Sequence, residues 1–125
     1  MIFDTDVLIW LLRGNPRAAH AIDRTEHRAI SLISYMELLQ GARNKGEIKA
    51  IKALLRELQI QSLPLSENIG HRASIYMEEY TLTSALSMPD ALIAATAIET
   101  NVPLLTGNGK HYRVITELDL KRFRP

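Results

Sequence analysis

A three-layer α/β/α sandwich around a central, mostly parallel sheet of four to five strands is the fold this sequence predicts. Short β-favouring apolar runs alternate with helix-length apolar or amphipathic blocks along the chain, the pattern of successive βαβ units. The segments between them are short, as parallel crossover units in one sheet require. A third observation concerns chemistry. Asp4, Glu37 and Asp90 each fall where an apolar run stops and a helix begins, so an open sheet would gather them at one edge.

The elements follow in order. Met1 to Phe3 is a strand, broken by Asp4-Thr5-Asp6, and Val7 to Leu12 is a helix ending at Arg13-Gly14. Pro16 opens a second short helix through about Arg24. Ala29 to Ile33 is a β-favouring run, and Ser34 is the expected N-cap of a helix carrying Tyr35 to Leu39. After Asn44 to Gly46, the stretch Glu47 to Leu58 puts Ile48, Ile51, Leu55 and Leu58 on one stripe. Lys45, Lys49, Lys52 and Arg56 fall on another, giving a cationic helix face.

Ile60 to Leu63 reads as a third strand, and Ser66 leads into a helix whose Ile69, Ala73, Tyr76, Met77 and Tyr80 share a face. Ser87 starts the next helix, Ala91 to Thr100, apolar nearly all round and rich in alanine, as a helix packed closely on a sheet should be. Val102 to Thr106 is a fourth strand, ending in a Gly107-Asn108-Gly109 turn where the backbone can approach a ligand or take positive φ. Val114-Ile115 is the expected fifth, short edge strand.

At 125 residues, the size prior is one domain over 1–125, with neither repeat nor linker within it. The chain has no cysteine, which excludes disulfides, thiol nucleophiles and cysteine zinc sites, and leaves a metal only oxygen or imidazole ligands. A formal net charge of +1 decides nothing about a polyanionic partner, so local patches must. No basic segment followed by an apolar one opens the sequence and no apolar run is long enough to span a bilayer, so the expectation is a cytoplasmic protein without a membrane partner.

The acids each have a structural reading. Ser34-x-x-Glu37 is the capping-box pattern, Ser87-x-x-Asp90 is a weaker version of it, and Asp4 or Asp6 can cap the first helix. Capping does not explain why Asp4 directly follows the first strand, which a doubly wound sheet places beside its topological switch point. Acids gathered there repel one another unless a cation intervenes, and hard oxygen ligands select Mg²⁺ or Mn²⁺. Asn108 reads either as an ordinary turn residue or as a neutral oxygen ligand, and Thr5 can hydrogen-bond a ligand phosphate. His111, next to Tyr112, is either a solvated loop histidine or a group that orients a water or contacts a phosphate. Lys110, Arg113, Lys121, Arg122 and Arg124 form a second basic set, nearer the site in sequence than the helical one.

Taken together, Met1-Ile2-Phe3-Asp4-Thr5-Asp6, Ser34-Tyr35-Met36-Glu37-Leu38, Asp90 to Ala97 and Leu105-Thr106-Gly107-Asn108 resemble the PIN-domain ribonucleases, specifically the VapC-type toxins, over essentially the whole chain. The resemblance implies a divalent-metal-dependent endoribonuclease, a homodimer, and neutralisation by a VapB-type antitoxin. By position it assigns metal holding to Asp4, Glu37 and Asp90, and adds Asn108 to the catalytic set where many members have an aspartate. A further family acid corresponds to His111, which makes the site poorer in carboxylates. Thr5, Lys110, His111 and Arg113 are the residues expected to contact RNA. Two rivals remain in view: a haloacid-dehalogenase-type phosphatase, from Asp4-x-Asp6 after a strand, and a catalytically weak PIN-fold module that binds RNA or protein.

Overall fold

The computed structural model describes all 125 residues. Its strands are β1 (Ile2–Phe3), β2 (Ala29–Ser31), β3 (Gln61–Leu63), β4 (Leu104–Thr106) and β5 (Leu120–Arg122). All pair in parallel in one sheet of order β3-β2-β1-β4-β5. The order reverses between β1 and β4, so the switch point lies at the carboxyl ends of those two strands. The helices are α1 (Thr5–Leu12), α2 (Pro16–Asp23), α3 (Leu32–Gln40), α4 (Lys45–Glu57), α5 (Glu67–Tyr80), α6 (Met88–Thr100) and the single turn α7 (Gly109–Tyr112).

Strand alternation divides the core in two. Ile2 and Leu104 point to one face and pack with α5, α6 and Tyr112. Phe3 and Leu105 point to the other, against Val7 and Leu8 of α1, Ala18 and Ile22 of α2, and Ile51 and Leu55 of α4. Helix α3 reaches both layers, with Ile33 on the first and Leu38 in the second. Asp4 and Thr106 continue the alternation onto the face covered by α6, and Asp4 N donates to Leu105 O at 2.9 Å. No helix is long and apolar enough to cross a membrane.

The structure corrects four expectations. Ser31, not Ser34, caps α3: its hydroxyl accepts from Ile33 N at 3.1 Å, and the register Ser31↔Leu63 ends the strand there. Leu32 and Ile33, which read as strand by β-propensity, are recruited into helix because β2 has no further partner residues. The last strand is Leu120–Arg122, whereas Val114 and Ile115 lie in turns that bury Ile115 and Leu118 in the core. Helix α4 begins at Lys45, two residues before the expected start, because the Asn44 side chain accepts from Glu47 N at 2.9 Å.

Helix α6 is buried along most of its length, and Ala91, Ala94 and Ala95 are each 0% exposed. Small side chains let it lie close to the sheet, which leaves no room for growth. Ala94→Leu is therefore expected to destabilise the protein by about 1–3 kcal/mol, read from urea denaturation; a variant as stable as the parent would show that the layer is loosely packed.

Candidate metal centre at the sheet switch point

Six polar residues are buried: Asp4, Thr5, Ser31, Ser34, Thr96 and Thr106. Asp4 is the only ionisable one, and the other five carry hydroxyls. Asp4 also caps α1, with Oδ1 accepting from Thr5 N at 2.8 Å. Its Oδ2 accepts from Thr106 Oγ1 at 2.7 Å, a bond joining the ends of the two central strands. Thr5 Oγ1 in turn bonds Glu37 Oε1 at 2.7 Å and Ser34 Oγ at 2.8 Å. Ser34 is thus a buried helix residue that meets Thr5, and no capping box holds Glu37. The Glu37 carboxylate reaches the Asp4 segment through one threonine.

Asp90 enters from the first turn of α6, where Ser87 Oγ caps its amide at 3.3 Å. Its carboxylate is gripped by α7. Tyr112 Oη donates to Oδ1 at 3.1 Å, and His111 Nδ1 lies 3.3 Å from Oδ2. Asn108 N donates to Thr106 Oγ1 at 2.9 Å, while the Asn108 side chain makes no capping bond to α7. Lys110 and Arg113 line a cleft of about 410 Å³ together with Thr106, Gly107, Lys121 and Arg122.

Three features of the site escaped the sequence reading. Asp6 docks on the Gly107 amide, with Oδ2 2.9 Å from Gly107 N, while its Oδ1 is buried without a hydrogen-bond partner. Neither Gly107 nor Gly109 takes positive φ. Gly107 is glycine for space, because a Cβ there would lie 2.6 Å from Asp6 Oδ2. Tyr112, fully buried, points its hydroxyl at the acids. Asp6 lies in the first turn of α1 and Gly107 just beyond β4, and only the fold brings the two together.

Burial pushes the Asp4 carboxyl up to about 6, against the opposing bond from Thr106, and the Asp6 and Asp90 charges add to the rise. Burial likewise raises Asp6, opposed by the Gly107 amide, with Asp90 contributing. The Tyr112 hydroxyl is raised far above the ordinary tyrosine value by burial and then by the Asp4 and Asp90 charges, so it stays protonated as a donor. No lysine or arginine forms an ion pair with Asp4, Asp6 or Asp90.

This arrangement fits a hard divalent cation in donor type and charge. The oxygens are anionic, partly buried and uncompensated, and Asp6 Oδ1 has no partner at all. The side chains as placed do not form a closed cage: no three carboxylate or imidazole groups stand together as a complete metal cluster. Asp4 feels the charges of both Asp6 and Asp90, the Tyr112 hydroxyl lies within reach of both Asp4 and Asp90, and Glu37 joins through Thr5.

A five-stranded parallel sheet with acids at its switch point belongs to the α/β class that binds ligands in the crevice beyond the strand ends. Residues 1–116 match the PIN domain profile, and the chain belongs to the PIN domain family. It is 31% identical to Ribonuclease VapC19 of Mycobacterium tuberculosis over 122 residues, covering 94% of this chain and 95% of that protein. Among solved structures it resembles a toxin-antitoxin complex from Klebsiella pneumoniae, with TM-score 0.79 and 31% identity over 94% of this chain and 93% of that one. It also resembles VapBC-1 from nontypeable Haemophilus influenzae, with TM-score 0.82 and 26% identity over 98% of each chain.

A raised folded-state pKa means that Asp4 contributes stability below its unfolded value of 3.8, and that this is lost as pH rises through about 6. Metal-free protein should therefore become less stable between pH 4 and pH 7, by at most about 3 kcal/mol from this group. Asp4→Asn should flatten that slope and be the more stable protein at neutral pH in chelator. Thermal melts across the range check this, and an unchanged slope in Asp4→Asn would assign it to other groups.

Proposed function

We propose that the chain is a divalent-metal-dependent endoribonuclease that acts as the toxin of a type II toxin-antitoxin pair, hydrolysing RNA phosphodiester bonds with Mg²⁺ or Mn²⁺. The observation that carries this reading is the uncompensated pair Asp4 and Asp90 at the switch point, buried enough to raise Asp4 and bonded only to neutral donors and His111. Membership of the PIN family and 31% identity to a VapC ribonuclease support the reaction class.

A cation held by Asp4 and Asp90, with Glu37 and Asn108 at its margin, would neutralise the scissile phosphate and lower the pKa of a bound water. The protein's own groups prepare that site. Thr5 holds Glu37 toward the Asp4 segment, and Gly107 leaves room for Asp6. Lys110 and Arg113 bind backbone phosphates, joined by Lys121 and Arg122 of the same cleft. Thr5, bonded to Glu37, and His111, beside Asp90, are the two further residues proposed to contact the RNA.

Four cations in one cleft suit a polyanionic chain better than a small phosphate ester, which favours RNA over the phosphatase reading. The absence of a closed metal cage is the observation that favours the weak binding module. Metal-dependent cleavage decides between them. The proposed partner is a VapB-type antitoxin, consistent with the toxin-antitoxin complexes among the structural relatives, and the proposed assembly is a homodimer, which the family resemblance implies. A groove of about 690 Å³ lined by Ile9, Leu12, Leu38, Ala42 and Ile51 ends at Glu37 and offers an apolar surface for such a partner. The exposed edge of α1 is Ile9 and Leu12; Trp10 and Leu11 are half-buried, and Arg13 lies over the Trp10 ring.

Purified protein incubated with mixed cellular RNA should create new 5′-phosphate ends with Mn²⁺ or Mg²⁺ and none with chelator. Asp90→Asn should lower cleavage more than about 100-fold, since losing a direct ligand exceeds the ten- to hundredfold typical of an outer-shell partner. Chelator-resistant cleavage, or full activity in Asp90→Asn, would refute the metal mechanism.

The two basic sets lie at opposite sheet edges, β5 and the α4–β3 side. Only the first lines a cleft with Thr106 and Gly107. Lys121→Gln with Arg122→Gln should reduce the slope of log affinity for single-stranded RNA against log salt by about 1.4, roughly 0.7 per lost phosphate contact. Lys49→Gln with Lys52→Gln should leave it unchanged, and the reverse result would move the RNA track to α4.

A further inference from the structure

Three of the four carboxylate oxygens of Asp4 and Asp90 accept a hydrogen bond, and the fourth, Asp90 Oδ2, lies 3.3 Å from His111 Nδ1. Asp4 is held by its neighbour's amide and by the adjacent strand, through Thr5 N and Thr106 Oγ1. Asp90 has neither kind of support. Its side chain is 17% exposed in the first turn of α6, where an aspartate can change rotamer, and both its partners come from the single turn α7.

Tyr112 is the more rigid of the two. It is 0% exposed and heads the fully buried side chains by volume, packed in the cluster of Ile2, Ala91, Ala94, Leu104 and Ile115. The core fixes the ring, and the ring fixes the hydroxyl. Phenylalanine would fill the same space without the desolvation cost of a buried hydroxyl, so packing does not account for the oxygen. That oxygen bonds Asp90 Oδ1 at 3.1 Å and lies close enough to Asp4 for both carboxylates to act on it. One hydroxyl proton occupies one lone pair of Oδ1, leaving the other for a ligand.

We propose that Tyr112 is a positioning residue: its hydroxyl, anchored by the core, fixes the Asp90 carboxylate beside Asp4 so that the pair binds a divalent cation as one unit. The inference rests on the metal-dependent reading of this site and adds the residue that sets its affinity. His111 supplies the second restraint on Asp90, but it is 34% exposed and lacks the rigid packing of the tyrosine ring. The role belongs to this chain's own residues: α7 brings a hydroxyl and an imidazole to the acid, from adjacent positions.

The test is calorimetric titration of metal-free full-length protein with Mn²⁺ alone, comparing the parent with Tyr112→Phe. The expected result is a Kd about tenfold or more weaker in the variant, the effect typical of removing an outer-shell partner. Its metal-free melting temperature and circular dichroism should match the parent. Its RNA cleavage should fall at limiting Mn²⁺ and recover at saturating Mn²⁺, which a general structural defect would not do. Equal Mn²⁺ affinity in the two proteins overturns the inference while leaving the metal-dependent function standing. Failure of Tyr112→Phe to fold also overturns it, by making the hydroxyl a structural group. A parent protein that takes up no Mn²⁺ overturns the metal reading itself, and the inference with it.

Discussion

The site is organised around one carboxylate that the fold leaves only 3% exposed. Asp4 follows a two-residue strand in the middle of a parallel sheet, and the α6 layer closes over it. A buried carboxylate without a cationic partner is costly, and the protein keeps it by surrounding it with hydrogen-bond donors rather than with charge. Thr5 N and Thr106 Oγ1 supply two of them, and each belongs to a different segment. The β1–β4 clamp therefore joins the two central strand ends through a carboxylate whose charged form burial disfavours.

The remaining buried polar groups show how that cost is spread. Ser31, Ser34, Thr5, Thr96 and Thr106 are short hydroxyls, and four of them connect in pairs: Thr5 with Ser34, and Ser31 with Thr96 at 3.5 Å. A hydroxyl can donate and accept, so it satisfies a neighbour without adding net charge. Short side chains also let α1, α3 and α6 converge on the strand ends at van der Waals distance. The same residues thus serve as packing material for three helices and as the polar lining that holds Glu37 and Asp4 in place.

Much of this was legible from residue order, and the failures have physical reasons. Strand–helix alternation fixed the layers, and the position of Asp4 after the first strand pointed to the switch point because doubly wound sheets place that strand centrally. Ser34 misled, because a serine three residues before a glutamate looks the same whether it caps a helix or lies one turn inside it; the deciding factor was the end of β2 pairing at Ser31. The final strand was misplaced because Val114 and Ile115 have the stronger β-propensity, whereas β5 forms from Leu120-Lys121-Arg122 by backbone pairing to β4. Asp6 and Tyr112 were missed for a different reason. Their significance lies in contacts across 101 and 22 residues of sequence, to Gly107 and Asp90, that no local pattern encodes.

Helix α7 concentrates these consequences in one turn. Its inward residue, Tyr112, is core and reaches Asp90; His111 meets the same acid from the partly exposed side; and Lys110 with the following Arg113 faces the cationic cleft. Successive positions on a single turn point about a quarter of a circle apart, so four residues can address the core, the acids and the solvent at once. The turn is anchored at its start by Asn108 N on Thr106 Oγ1, the same oxygen that donates to Asp4. Acid geometry and the placement of the cationic cleft are thereby tied to a single threonine hydroxyl, and any movement of β4 relative to β1 shifts both together.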